Sequence, residues 1–307
     1  MDFRQLRYFV AVAEELSFSR AAERLHMSQP PLSVQIKAME EELGTVLLDR
    51  TRQNVALTGP GQLLLTHAKA ALRELDRAGD LVRRAGRGEA GTIRMGFVGS
   101  VPMLDLFPHV LSGFRQAFPY VRIDLHHQST NRQLAALVEG KIDVGFVRLP
   151  PSHGIGAAMQ VTTVWTDRLC LFLPEGHALA AGDDAVDLAN LAAEEFIGIA
   201  AGVGCGVHEL AAFACTNARF MPRIVQEAHD LRTVLWLVAG GTGVALLPEC
   251  YGRAGVARVV SRSLRGPPLM SRISMVSRRD ARCPLLERFI AHAALFPLTL
   301  SAGRPPQ

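Results

Sequence analysis

Residues 18–43 read FSRAAERLHMSQPPLSVQIKAMEEEL. The pattern predicts a helix, a tight turn between Leu25 and Ser28, and a second helix. Ser28 suits the N-cap, because a serine hydroxyl can accept a first-turn N–H. Pro30 and Pro31 follow at once. First-turn N–H groups have no intrahelical partner, so proline costs little there and would break the helix further in. Leu32, Ile36, Met39 and Leu43 recur at steps of four, three and four, which gives one apolar face. Pro30, Ser33, Val34 and Lys37 fall on the opposite face. That face is short, polar and weakly charged, a surface that can enter a major groove. By spacing alone it is equally the solvated side of an ordinary helical hairpin, since helix–turn–helix geometry is not confined to DNA binders.

The surrounding sequence separates the two readings. From Arg4 to Gly61 the chain resembles the N-terminal domain of LysR-type transcriptional regulators of bacteria. The carrying residues are Phe9, Ala13, the FSRAAERL helix, Ser28-Gln29-Pro30, Ser33, Ile36, Glu40, Leu43-Gly44, Arg50 and Leu57-Thr58 before Gly61. The resemblance implies an all-α winged helix–turn–helix domain over residues 1–60, bound to double-stranded promoter DNA. The candidate DNA-binding residues are Ser28, Gln29, Pro30, Pro31, Ser33, Val34 and Lys37, with Arg50 and Arg52 near the backbone or minor groove. For Arg50 the alternative is an ion pair with a glutamate of the recognition helix. Three positions depart from the family pattern: Val46 and Leu48 stand where proline and phenylalanine are usual, and Val34 where arginine is common. A valine there can touch a thymine methyl instead of a phosphate.

Charge alone does not flag a nucleic-acid binder. The 307-residue chain carries a formal net charge of +4 with a pI near 9.0. The first sixty residues hold seven Lys and Arg against eight Asp and Glu. Five cysteines, at 170, 205, 215, 250 and 283, form no CxxC or zinc spacing. A reduced, cytoplasmic chain without cofactor is expected, with no signal peptide and no membrane span.

Leu6, Phe9, Val10 and Ala13 mark one face of a first supporting helix. Gly44 ends the recognition helix. The segment RTRQNVALT predicts a small wing with Gln53-Asn54 at its tip. From Pro60 to about Arg87 one long helix is predicted, roughly 40 Å at 1.5 Å per residue. Leu64, Ala68, Ala71, Leu75, Ala78, Val82 and Ala85 alternate steps of four and three along it. Such a stripe needs a partner. Packing on its own domain is one possibility; the resemblance implies a homodimer, with tetramers usual in the family. Residues 61–91 are therefore a linker helix and a glycine-rich hinge.

Beyond the hinge, residues 92–300 alternate strand and helix patterns. Repeated βα units imply α/β sheets covered by helices. The segment resembles the two-lobed effector domain of the LysR type, which is like a periplasmic binding protein. Lobe 1 is expected at about 92–163 and 268–300, lobe 2 at about 164–267. Ligands in such lobes sit beyond the C-terminal strand ends, near helix N-termini. Ser100, after the first strand, and Thr130-Asn131, after the second, fit that place; the plainer role for each is a helix cap. Arg148 ends the strand IDVGFVR and suits a carboxylate, or else a neighbouring acid. Gly202 to Cys205 and Asp230 are placed on the opposite lobe. Arginine at the position of Arg148 occurs in the subset controlling aromatic-compound degradation, including the benzoate and chlorocatechol regulators, to which this domain is similar. The effector expected is thus a small carboxylate, an aromatic acid or a muconate-like dicarboxylate.

Two other readings stay open at this level. Cys205 and Cys215 lie where peroxide-sensing relatives carry a reactive pair, although Gly-Val-Gly-Cys-Gly-Val-His lacks the basic surroundings that lower a thiol pKa. An enzyme or free solute-binding protein is disfavoured: Gly99-Ser100 is not a G-x-S-x-G elbow, and His126 and His127 point to opposite faces of a strand.

Overall fold

The computed structural model describes residues 1–50, 55–149, 155–182, 185–200 and 206–296. The chain divides into two units, Met1–Arg84 and Ala85–Gln307.

The first unit opens with α1 (Phe3–Glu15). Asp2 caps it by accepting the Gln5 N–H at 2.7 Å, while the Gln5 side chain accepts the Asp2 N–H at 3.0 Å. α2 (Phe18–Arg24) starts at the Ser17 cap, and α3 (Gln29–Leu43) follows a turn in which His26 takes a φ of +53°. Ser28 holds the N-cap position of α3, but its hydroxyl accepts no first-turn N–H. The reason lies in the next residues. An N-cap side chain bonds the N–H of the second or third helical residue. Here those are Pro30 and Pro31, which have none. Leu32, Ile36 and Met39 are fully buried in a core with Phe9, Val12 and Ala21. Leu43 is not: the helix ends at Gly44, with a φ of +65°, and its last turn runs beyond the core. Val10 is only half-buried, and Val12 takes the enclosed place.

β1 (Leu48–Arg50) and β2 (Val55–Leu57) pair antiparallel as the wing. Its tip, Gln53-Asn54, and Arg52 lie outside the described residues. The Thr58 hydroxyl accepts the Gly61 N–H at 3.1 Å and reaches the Val46 carbonyl at 2.7 Å, which starts α4 (Gly59–Gly86), 28 residues long. Leu64, Ala68 and Ala71 of its stripe pack on this unit's core, whereas Leu75 and Val82 are exposed.

In the second unit come β3 (Ala90–Phe97), α5 (Leu106–Ala117), β4 (Tyr120–His127), α6 (Thr130–Val138) and β5 (Val144–Leu149). Then follow β6 (Met159–Pro174), β7 (Glu195–Ile199), α7 (Val207–Asn217), β8 (Arg223–Ala228), α8 (Leu231–Ala239) and β9 (Ala245–Pro248). β10 (Val259–Ser263), β11 (Met270–Arg278) and α9 (Pro284–Ala294) complete it. One sheet runs β6-β11-β5-β3-β4, parallel around β3 and antiparallel around β11. The other is built on the far half of β6, between β10 and β9, with the parallel pair β7-β8 joined by a bridge from Phe196 to Val244. β6 therefore belongs to both. Residues 159–168 pair with β11 and residues 169–174 with β9 and β10. Where the two chains pass between sheets, the Leu169 N–H donates to the Leu269 carbonyl at 2.8 Å. Phe114 and Phe289 meet edge to face at 5.2 Å and join α5 to α9 over the first sheet. Leu171, Leu191, Leu210 and Leu246 fill the core of the second. The result is a two-lobed α/β domain whose parallel strand ends open toward one cleft.

Candidate nucleic-acid interface and ligand cleft

On the first unit, Pro30, Pro31, Val34 and Lys37 are exposed along α3, and Ser33 is half-buried. Gln29, at its start, accepts from the Ser19 hydroxyl at 3.0 Å. Lys37 lies 3.7 Å from Glu41 in water, a pair worth little. Arg50 does not stand free. Its Nη2 donates to Glu40 at 2.8 Å, its Nη1 reaches the Ser33 hydroxyl at 3.4 Å, and its guanidinium lies 4.9 Å from the Phe18 ring centre. Of the two readings for Arg50, the ion pair with a recognition-helix glutamate is the one present. Glu40 also accepts the N–H groups of Leu47 and Leu48, at 2.9 and 3.1 Å. It thus fixes the wing's first strand against α3.

The cleft of the second unit, about 140 Å³, is lined from one lobe by Val98, Gly99, Ser100, the 127–130 loop and Arg148. Ile199, Val207, residues 229–232 and Tyr251 line it from the other side. It lies beyond the C-terminal ends of β3, β4 and β5, as strand topology requires. Ser100 is buried and lines it. Thr130 is buried too, but its hydroxyl bridges the main chain of Arg148, donating to the carbonyl at 3.2 Å and accepting the N–H at 3.3 Å. Asn131 is exposed and is not among the lining residues. Gly202 and Cys205 lie outside the described residues.

Arg148 lines the cleft with its charge already matched. Nη1 and Nη2 donate to the two oxygens of Asp167, at 2.7 and 3.3 Å, and Nη1 also bonds the Ser271 hydroxyl. Burial would lower the Arg148 pKa; the charge of Asp167 overrides it and holds the pKa above the usual arginine value. Asp230 caps α8, accepting the Thr233 N–H at 2.9 Å and the Thr233 hydroxyl at 2.5 Å. Partial burial opposes its charge, yet these bonds and nearby His127 hold its pKa below the ordinary aspartate value.

Sequence reasoning missed Asp167, Tyr251 and Gly206. Tyr251 had a signal, since it follows the end of β9 as Ser100 follows β3. Gly206 has a φ of +91°, and a Cβ there would lie 2.8 Å from the Arg148 carbonyl oxygen. That contact seats the start of α7 on the end of β5. Among the described residues no three His, Cys, Asp or Glu side chains are grouped to hold a metal, and no helix is long and apolar enough to cross a membrane.

Residues 3–62 match the family described as bacterial regulatory helix-turn-helix protein, lysR family, and residues 86–295 match the LysR substrate binding domain. The chain belongs to the LysR family. It is 36% identical over 290 residues to the transcriptional regulator AlsR of Bacillus subtilis, covering 94% of both chains. With ClcR of Pseudomonas putida it shares 34% over 290 residues, 94% of this chain and 97% of the relative. The crystal structure of CbnR, a LysR family transcriptional regulator, superposes with a TM-score of 0.75 at 30% identity, covering 95% of this chain and all of that one. CbnR complexed with its target DNA gives the same TM-score. This LysR-family chain is accordingly a DNA-binding transcriptional regulator with an effector-binding domain, and not an enzyme.

Proposed function

We propose that this regulator binds a small organic anion in the cleft, and that occupancy changes how its oligomer holds promoter DNA. The carrying observation is that buried Ser100, the start of α6 at Ser129-Thr130, and Arg148 border one cavity of ligand size. Helix N-termini favour an anion through free N–H groups and the macrodipole. Ser100 supplies a hydroxyl; Arg148, already neutralised, supplies shape and one further N–H.

Sequence likeness to ClcR, and to BenM of Acinetobacter baylyi at 37% over 251 residues, favours aromatic acids and muconate-like dicarboxylates as the first effectors to try. The exposed stripe of α4, from Leu75 to Val82, favours pairing of two linker helices, and the family likeness favours a tetramer. Two recognition helices then read a pseudo-palindromic site that one copy reads weakly. An effector acts by binding one arrangement of the lobes better than the other. The change reaches DNA as altered spacing or bend.

The test is a thermal-shift screen of small carboxylates on the full chain, followed by footprinting with any hit. A rise in melting temperature that Ser100→Ala removes, together with a changed footprint, supports the reading. A screen in which no carboxylate shifts the wild type sinks it.

A further inference from the structure

The cleft carries groups that binding an anion alone does not call for. Asp230 presents a carboxylate on its wall, held in place by Thr233. A carboxylate offers about four acceptor positions; Thr233 occupies two and the Arg232 N–H faces it as well, which leaves room for one further donor. Gln128, which lines the cleft from the other lobe, has its side-chain oxygen buried without a partner. Both are acceptors.

The opposite kind of group is present as well. The Tyr251 hydroxyl is buried beside Ser100 and has no hydrogen-bond partner that satisfies it. Arg148 Nε is buried and unpartnered in the same way. Both residues line the cleft. Buried polar groups in native structures are nearly always satisfied, so orphans gathered at one cavity mark where a ligand's atoms belong. The three orphans, Gln128 Oε1, Tyr251 OH and Arg148 Nε, together with the Asp230 carboxylate, suit a ligand with acceptors on one part and a donor on another. Charge points the same way. Arg148 is cancelled by Asp167, which leaves Asp230 as a fixed charge of the wall. Arg232 also lines the cleft, and solvent screens it and Asp230 alike; but Asp230 is fixed by its bonds to Thr233, whereas the long Arg232 arm costs side-chain entropy to use.

Resting on the reading of the cleft as a carboxylate site, we propose that the effector is a carboxylate that also carries an amino group, and that Asp230 selects it over the dicarboxylates that sequence likeness alone favours.

Titration calorimetry on the intact oligomer tests this with two matched sets: butyrate, succinate and 4-aminobutyrate; benzoate, terephthalate and 4-(aminomethyl)benzoate. Asp230→Asn removes the charge and keeps the helix cap, because asparagine caps as well as aspartate. In the wild type the amino member of the binding set is expected to exceed the plain acid about tenfold and the diacid by more, with the gap to the plain acid shrinking to within threefold in the variant. A diacid that binds as tightly as the amino acid, or an amino preference that survives Asp230→Asn, overturns the proposal. A diacid that binds most tightly and weakens in Arg232→Gln overturns it too, and assigns the selection to Arg232. Silence from all six acids refutes the carboxylate site itself, and this inference with it.

Discussion

Arg148 and Asp167 form a two-point ion pair that reaches over the strand between them. Arg148 lies on β5 and Asp167 on β6; β11 runs between, with Ser271 opposite Asp167 and bonded to the same guanidinium. Their side chains are 2% and 1% exposed. A buried pair of this kind is worth little against an apolar replacement, but breaking it strands a charge at about 3–5 kcal/mol. Asp167→Ala should therefore lower the free energy of urea unfolding by that order, whereas Arg148→Met with Asp167→Leu should recover most of the loss. Equal losses in the single and double variants would show that the charges are not what matters there.

Glu40 decides whether the wing stays on the recognition helix. It accepts two main-chain N–H groups and the Arg50 guanidinium, with its own side chain only 12% exposed. Removing the acceptor leaves polar groups unpaired, at about 1–3 kcal/mol. Glu40→Ala should destabilise the first unit by about that much and weaken a gel shift. Glu40→Gln keeps one oxygen for the N–H groups and should cost less. A thermal melt of the two variants separates these outcomes.

Gly61 sets two effects against each other. Alanine favours a helix over glycine by about 1 kcal/mol. At Gly61, however, a Cβ would sit 2.1 Å from the Leu47 carbonyl oxygen, which is main chain and cannot swing away. Overpacking of that kind costs about 1–3 kcal/mol, and here the overlap is with backbone, so the clash wins. Gly61→Ala should lower the melting temperature. Gly59→Ala, in the same helix with nothing within 4 Å of its Cβ, should leave it unchanged or raise it.

Thiol chemistry follows from burial. Burial pushes Cys215 up to about 11 and Cys170 up to about 12, and raises Cys250 as well. Cys283 is exposed. At pH 8 a thiol with a pKa of 11 is ionised to roughly one part in a thousand, and the thiolate is the reactive form. Peroxide or iodoacetamide on the folded protein should therefore modify Cys283 and leave Cys170, Cys215 and Cys250 intact by peptide mass spectrometry. Oxidised Cys215 in folded protein would reopen the redox reading.

The parts of this fold that could be read in advance are those whose causes are local. Leu32, Ile36 and Met39 announce the buried face of α3 because a helix repeats every three to four residues, and the strand end before Ser100 announces the cleft because α/β topology puts ligands there. Ser28 shows the limit of a local rule. The residue type suits a cap, but the two prolines behind it remove the N–H groups a cap needs. Partners distant in sequence stay hidden. Nothing near Arg148 names Asp167, which joins it only once β11 slots between β5 and β6. The double membership of β6 is equally a matter of which later strands arrive beside each half. Arg50 lies between two readings in the sequence because composition cannot tell a phosphate contact from an ion pair with Glu40.

Val34 offers the test of how α3 reads DNA. Val34 is 63% exposed beside Ser33 and Lys37, on the face opposite Leu32, Ile36 and Met39. Nothing in the core explains an apolar side chain there. A branched aliphatic group in a major groove recognises the thymine methyl, whereas arginine recognises guanine or phosphate. Val34→Arg should shift one position of the selected site toward guanine, with discrimination of about 1–3 kcal/mol. The variant should also steepen the salt dependence of binding by about one counterion if it gains a phosphate contact. Val34→Thr keeps a methyl and should preserve the wild-type preference. Binding-site selection with all three proteins distinguishes these outcomes, and an identical preferred site for wild type and Val34→Arg would mean that residue 34 does not reach the bases.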